Sequence, residues 1–268
     1  MRLFRPRGRI SGGPSMRSPV AQAIALYEAG RYSEAEAEAR AVAAARPRRR
    51  DDVHAPLALG IAALATGAQG RHAEAVTAYD ALMPVFGRVF GAEHPQTLKL
   101  RSDRAQALTA LARYAECEAE CAAVAEAATR GTGPEMPRIV TAARNGLIYA
   151  LNAQGRHQEA ETLAREALAA HRAPDRFGLV LRLGLARGLQ GQARHEEALA
   201  EAERAGELRR GLPEEQRRPE AGAVELALAT ALQGLSRGTE ARPRAVAALD
   251  ACLSASEARA LLDRIDSG

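Results

Sequence analysis

A chain of 268 residues with no tryptophan and 3% aromatics has little material for a core built on large rings, so its helices must approach through small side chains. The formal charge of +4 points to nucleic acid only until it is located. Arg2, Arg5, Arg7 and Arg9 supply four positive charges with no acidic residue before residue 16, and the remainder sums to zero.

Residues 1–17 mix Arg, Gly, Pro and Ser without periodicity and are expected to form a disordered arm, with Met16 an alternative start. No apolar segment of signal-peptide type follows, and no run of 18 or more apolar residues occurs. The expectation is a soluble, cytoplasmic chain with no membrane partner. Cys117, Cys121 and Cys252 are odd in number and embedded in helical pattern, which fits a reducing compartment.

From residue 18 the chain repeats itself, and residues 18–268 are expected to form a single solenoid. The marker is a turn followed by Glu and a small residue. It reads Gly30-Arg31-Tyr32-Ser33-Glu34-Ala35, Gly70-Arg71-His72-Ala73-Glu74-Ala75 and Ala112-Arg113-Tyr114-Ala115-Glu116-Cys117. It returns as Gly155-Arg156-His157-Gln158-Glu159-Ala160, Ala193-Arg194-His195-Glu196-Glu197-Ala198 and, degraded, Ser236-Arg237-Gly238-Thr239-Glu240-Ala241. The arginines recur at intervals of 40, 42, 43, 38 and 43 residues. Glycine ends a helix in the left-handed conformation, and the small residue five positions later sits where two helices come closest.

Upstream of each turn a large apolar residue recurs, Leu26, Leu108, Leu151, Leu189 and Leu232, with Ala23, Ala105, Ile148, Ala186 and Ala229 three positions earlier on the same face. Thr66 replaces the leucine in the second unit, which is therefore expected to be looser or shifted in register. Downstream, amphipathic stretches such as Gln158 to His171 form the second helix. Connectors reset the chain at Pro47, Pro95, Pro137, Pro174 and Pro213. The units fall near 18–47, 53–91, 95–131, 137–173, 175–211 and 217–251, and a capping helix is expected over 254–266, opened by Ser254 and Glu257 at capping-box spacing. No single hairpin buries its apolar face alone, so neighbours must stack.

This pattern resembles the tetratricopeptide repeat, in the longer form of kinesin light chains and related bacterial proteins. The linker Gly91-Ala92-Glu93-His94-Pro95-Gln96-Thr97-Leu98 and the recurring Arg101, Arg144 and Arg182 carry the subtype. Where the family often has Asn nine residues before the turn, this chain has Asp103, Gly146 and Gly184. The resemblance implies an all-α, right-handed superhelix of about six hairpins plus a C-terminal capping helix. It also implies a concave groove that holds a peptide or helix of a partner protein. Register places Gln106, Thr109, Tyr149, Asn152, Arg187, Gln190, Thr230 and Gln233 in that groove, with Lys99 and Asn145 beside them. Amides and hydroxyls both donate and accept, which suits main-chain recognition, and Arg187 and Lys99 suit a carboxylate. The same residues also suit an ordinary solvated face.

No cofactor, metal or catalytic constellation is expected: phosphate-loop, nucleophile-elbow and zinc-protease motifs are all missing from the sequence. Cys117 and Cys121 read as core thiols. His72, His157 and His195 share one repeat position and read as packing, whereas His54 and His171 have no partner legible in sequence. The basic loop Arg46-Pro47-Arg48-Arg49-Arg50 is offset by Asp51 and Asp52, so nucleic acid is a weak expectation. The expected function is a binding scaffold or adaptor. The alternative is a peptide- or ligand-responsive regulator acting on a partner in trans.

Overall fold

The computed structural model describes residues 19–46, 52–217, 220–251 and 255–267. The expected arm over 1–17, most of the Arg46–Arg50 loop, Cys252 and the capping residue Ser254 lie outside them. Among the described residues there is no strand, and thirteen helices of eight residues or more are joined by short connectors.

The helices pair as α1 (Ala21–Glu28) with α2 (Tyr32–Ala44), α3 (His54–Ala68) with α4 (His72–Val89), and α5 (Pro95–Ala110) with α6 (Tyr114–Arg130). They continue as α7 (Met136–Ala153) with α8 (His157–Ala170) and α9 (Arg176–Gly191) with α10 (His195–Gly211). A single turn, α11 (Glu214–Arg217), precedes the sixth pair, α12 (Ala221–Gly234) with α13 (Gly238–Asp250), and α14 (Ala255–Ser267) packs against that pair. Each first helix also touches the next first helix, so the pairs stack into one continuous array.

The turn is one hydrogen-bonded motif repeated six times. The N–H of Arg31, Arg71, Arg113, Arg156, Arg194 and Arg237 donates to the carbonyl five residues earlier, at Leu26, Thr66, Leu108, Leu151, Leu189 and Leu232. This is the Schellman closure, which needs a left-handed residue just before the arginine. Gly30, Gly70 and Gly155 supply it in three turns, and Ala112, Ala193 and Ser236 adopt φ of 56°, 58° and 60° in the others. Each turn arginine then pairs with the glutamate three residues on, from Arg31 with Glu34 through Arg237 with Glu240. The glutamate lies in the first turn of the second helix, where the helix dipole favours an anion.

The small position after each turn, Ala35, Ala75, Cys117, Ala160, Ala198 or Ala241, is fully enclosed. The second unit is neither loose nor shifted. Thr66 is buried, its carbonyl accepts from Arg71 in register, and its hydroxyl donates to the Ala62 carbonyl at 2.9 Å beside the Glu36 carboxylate. A polar neighbour, not a packing fault, explains the threonine.

The junctions between repeats come in two chemistries. Glu36, Glu118 and Glu161 each receive the turn arginine of the following repeat (Arg71, Arg156, Arg194) and a glutamine two residues before it (Gln69, Gln154, Gln192). The other two junctions put apolar pairs at the same positions, Val76 with Leu111 and Leu199 with Leu235. Two of the histidines after the turn, His157 and His195, pack across junctions as well. A Cβ added to Gly191 would stand 2.3 Å from the His157 ring, and one added to Gly234 would stand 2.4 Å from His195 Nδ1. Glycine in the next first helix is what admits the ring. His171 has a partner after all: its Nε2 lies 2.7 Å from Asp175 Oδ1, while Asp175 caps α9 by accepting from Phe177 and Gly178 N–H. The pairing joins a helix end to a loop, which periodicity does not reveal.

Candidate partner-binding cleft

In the C-terminal half the first helices α7, α9 and α12, together with α14, enclose a cleft of about 750 Å³. Six of the ten residues assigned to a groove by register line it: Asn145, Tyr149 and Asn152 on α7, Arg187 and Gln190 on α9, and Thr230 on α12. Lys99, Gln106 and Thr109 on α5 and Gln233 on α12 do not.

Local bonding separates these residues by role. Asn152 is buried, donates from Nδ2 to the Gly184 carbonyl at 2.9 Å, and lies 3.1 Å through Oδ1 from His157 Nδ1. It ties two repeats together and is not free to meet a ligand. Thr230 donates to Leu226 O at 2.7 Å and Thr109 to Ala105 O at 3.1 Å, both inside their own helices. Gln190 Nε2 donates to the Thr230 carbonyl at 3.2 Å, joining α9 to α12. The Gln233 side-chain oxygen is buried without a partner.

Asn145, Tyr149 and Arg187 remain as the side chains that present chemistry to the cleft. The Arg187 guanidinium lies 5.1 Å from the centre of the Tyr149 ring, a cation–π distance, and 3.3 Å from Glu257 Oε1 on α14. Burial opposes its charge, but Glu257 and Tyr149 outweigh burial and its pKa is raised. The cleft floor is apolar: Val180, Leu183, Leu226 and Leu261 line it. Ser256, Glu257 and Arg264 of α14 form one wall.

Register alone missed that floor and that wall. Leu183 and Leu226 both stand eleven residues before their turn arginines, as Asn145 does, so a repeat-aligned reading of apolar first-helix residues would have found them. The residues of α14 carry no repeat register and give no such signal. The glycines at the family's asparagine position also have a role in packing. Gly184 lies against Ile148 and Gly146 against Cys121, where added Cβ atoms would stand 2.7 and 2.6 Å from the nearest side-chain atom.

This arrangement matches solved structures. A putative kinesin light chain from Podosopora anserina with nearly identical TPR-like repeats superposes with a TM-score of 0.61 at 24% identity, over 72% of this chain and 94% of that one. The fold is the tetratricopeptide-repeat solenoid. The same solenoid matches the APC/C hetero-tetramer Cut9–Hcn1 at a TM-score of 0.66 and 14% identity, over 92% of this chain and 42% of that one. It also matches PlcR of Bacillus thuringiensis in complex with the peptide PapR7 and DNA, at a TM-score of 0.52 and 16% identity over 94% and 98%. No family model matches the sequence, and no curated protein matches it.

Proposed function

We propose that the chain is a protein-interaction scaffold and not a catalyst, and that an extended segment of a partner protein lies in the cleft between α7, α9, α12 and α14. One observation carries the reading: successive first helices bring Asn145, Tyr149 and Arg187 over an apolar floor large enough for several side chains. Main-chain groups of a peptide find donors and acceptors in the polar residues, and its apolar side chains find the partly buried Val180, Leu183 and Leu226. The tetratricopeptide solenoids in the Cut9–Hcn1 and PlcR–PapR7 complexes support a protein or peptide partner in general.

The test begins with peptides selected on the parent chain from a displayed random library. Replacing Asn145, Tyr149 and Arg187 together by alanine is expected to weaken the selected peptides by about tenfold or more, the loss of 1.4 kcal/mol or more that truncating central contacts brings. Replacing Lys99 and Gln106, which lie outside the cleft, leaves binding unchanged. Undiminished binding to the triple variant, with helical content intact, removes the cleft from consideration.

The contact between Arg187 and Glu257 supports a second reading, a peptide-responsive regulator acting on a partner in trans. An occupant that took Glu257's place on Arg187 would release the first turn of α14 and alter the end of the solenoid. Small-angle scattering at saturating peptide reads that change directly, and an unchanged profile leaves the scaffold reading alone.

A further inference from the structure

Within the third repeat lie two thiols that the fold does not require. Cys117 and Cys121 occupy the fourth and eighth positions after the turn arginine. In four other repeats those positions hold Ala35 and Ala39, Ala160 and Ala164, Ala198 and Ala202, and Ala241 and Ala245, all of them enclosed. Alanine pairs therefore satisfy the packing. The cysteines are buried too, with their Sγ atoms 3.9 Å apart. Thr109 Oγ1 stands 3.1 Å from Cys117 Sγ, and Cys121 Sγ rests on Gly146 of α7.

We propose that Cys117 and Cys121 form a two-coordinate site for a soft monovalent cation, Cu(I). A direct disulfide does not suit this geometry. Four residues of α-helix advance about 6 Å along the axis, whereas a disulfide holds its Cβ atoms about 3.5–4.5 Å apart. Closing one would unwind α6. A bridging metal removes the conflict, because two metal–sulfur bonds of about 2.3 Å span about 4 Å when bent and about 4.6 Å when collinear. The observed sulfur separation needs only a small opening.

Ligand count decides between metals. Structural zinc takes four ligands, and among the described residues no group of three or more His, Cys, Asp or Glu side chains could hold a metal ion. Thiolates select Cu(I), which is content with two. On binding, two sulfur–metal bonds form, both thiol protons pass to solvent, and the site keeps one net negative charge. The Thr109 hydroxyl, now donating to the Ala105 carbonyl, turns to donate to Cys117. Thr109, which stands beside Cys117, is itself only half-buried on α5.

The test titrates the reduced full-length chain with Cu(I) in the absence of oxygen, against a coloured Cu(I) chelator. The expected result is one Cu(I) per chain, unchanged in Cys252→Ala. Cys117→Ala and Cys121→Ala should each weaken uptake by about 100-fold or more. The double alanine variant should take up none while keeping its helical circular dichroism, since it copies four sister repeats. Equal uptake by parent and double variant, failure of the parent to compete with the chelator, or zinc retained as firmly as copper would each overturn the proposal.

Discussion

At the scale of single residues, the six turns differ only in which residue takes the left-handed conformation. Gly30, Gly70 and Gly155 adopt it freely, whereas Ala112, Ala193 and Ser236 hold positive φ against the contact between Cβ and the following carbonyl. That contact costs about 1–2 kcal/mol, and glycine gives back about 0.4–1 kcal/mol through the freedom of the unfolded chain. Ala193→Gly is therefore expected to stabilise the fold by about 0.5–1 kcal/mol, seen as a higher urea midpoint with unchanged slope. A lower midpoint would mean that the strain is already relieved elsewhere. Sequence marked all six turns, including the three without glycine, because the arginine and glutamate around them kept their spacing. The sequence marked His157 as packing but did not show that Asn152 is structural too, because the Asn152–Gly184 contact forms only when two repeats meet.

At the scale of elements, the junction carboxylates decide how one repeat grips the next. Burial alone pushes the Glu161 carboxyl up, but the hydrogen bonds from Gln192, Arg165 and Arg194 outweigh it and hold the group below the usual carboxylate range. Glu36 is lowered in the same way, with burial again opposed by Gln69, Thr66, Arg40 and Arg71, and Glu118 is lowered first by Gln154 and then, against burial, by Arg156. A carboxyl depressed in the folded state stabilises fully above its unfolded pKa of about 4.3 and loses that contribution as pH falls through the folded value. The parent is accordingly expected to lose urea resistance more steeply between about pH 5 and pH 3 than the Glu36→Gln/Glu118→Gln/Glu161→Gln variant. Parallel pH profiles would show that the three junctions add nothing specific.

The second and third helical pairs illustrate the limit of single-repeat reasoning. Thr66 looked like a defect because its partner, Glu36, belongs to the preceding repeat. Hairpin ion pairs follow a similar rule, with Arg101 on Glu120 and Arg182 on Glu201, while the last pair reverses the charges as Glu225 and Arg244. Each of these pairs lies inside one hairpin at the same interval along the chain, so a comparison between repeats makes the spacing legible.

At the scale of the whole molecule, stability is a sum of neighbouring interfaces, and the last interface is closed by α14. Leu261 is enclosed with Ala229 and Ala245, flanked by Leu226, Leu262 and Ile265. Leu261→Ala should cost about 2–5 kcal/mol at this end, and hydrogen exchange should quicken in α12, α13 and α14 while α3 to α8 keep their protection. Equal loss of protection in every helix would instead mark the array as one cooperative block.

The chain's own pattern determined the number of hairpins, their turns and their small-residue contacts, because each arises from positions a few residues apart. It also supplied the cleft's polar side chains through their common register. Which of those side chains meet, that Asn152 is spent between repeats, and that Glu257 reaches Arg187 from seventy residues away were decided only by the stacked array. The physical reason is distance along the chain: backbone closure and helix faces are local, whereas a cleft exists only once three first helices from successive repeats and the final helix share one surface.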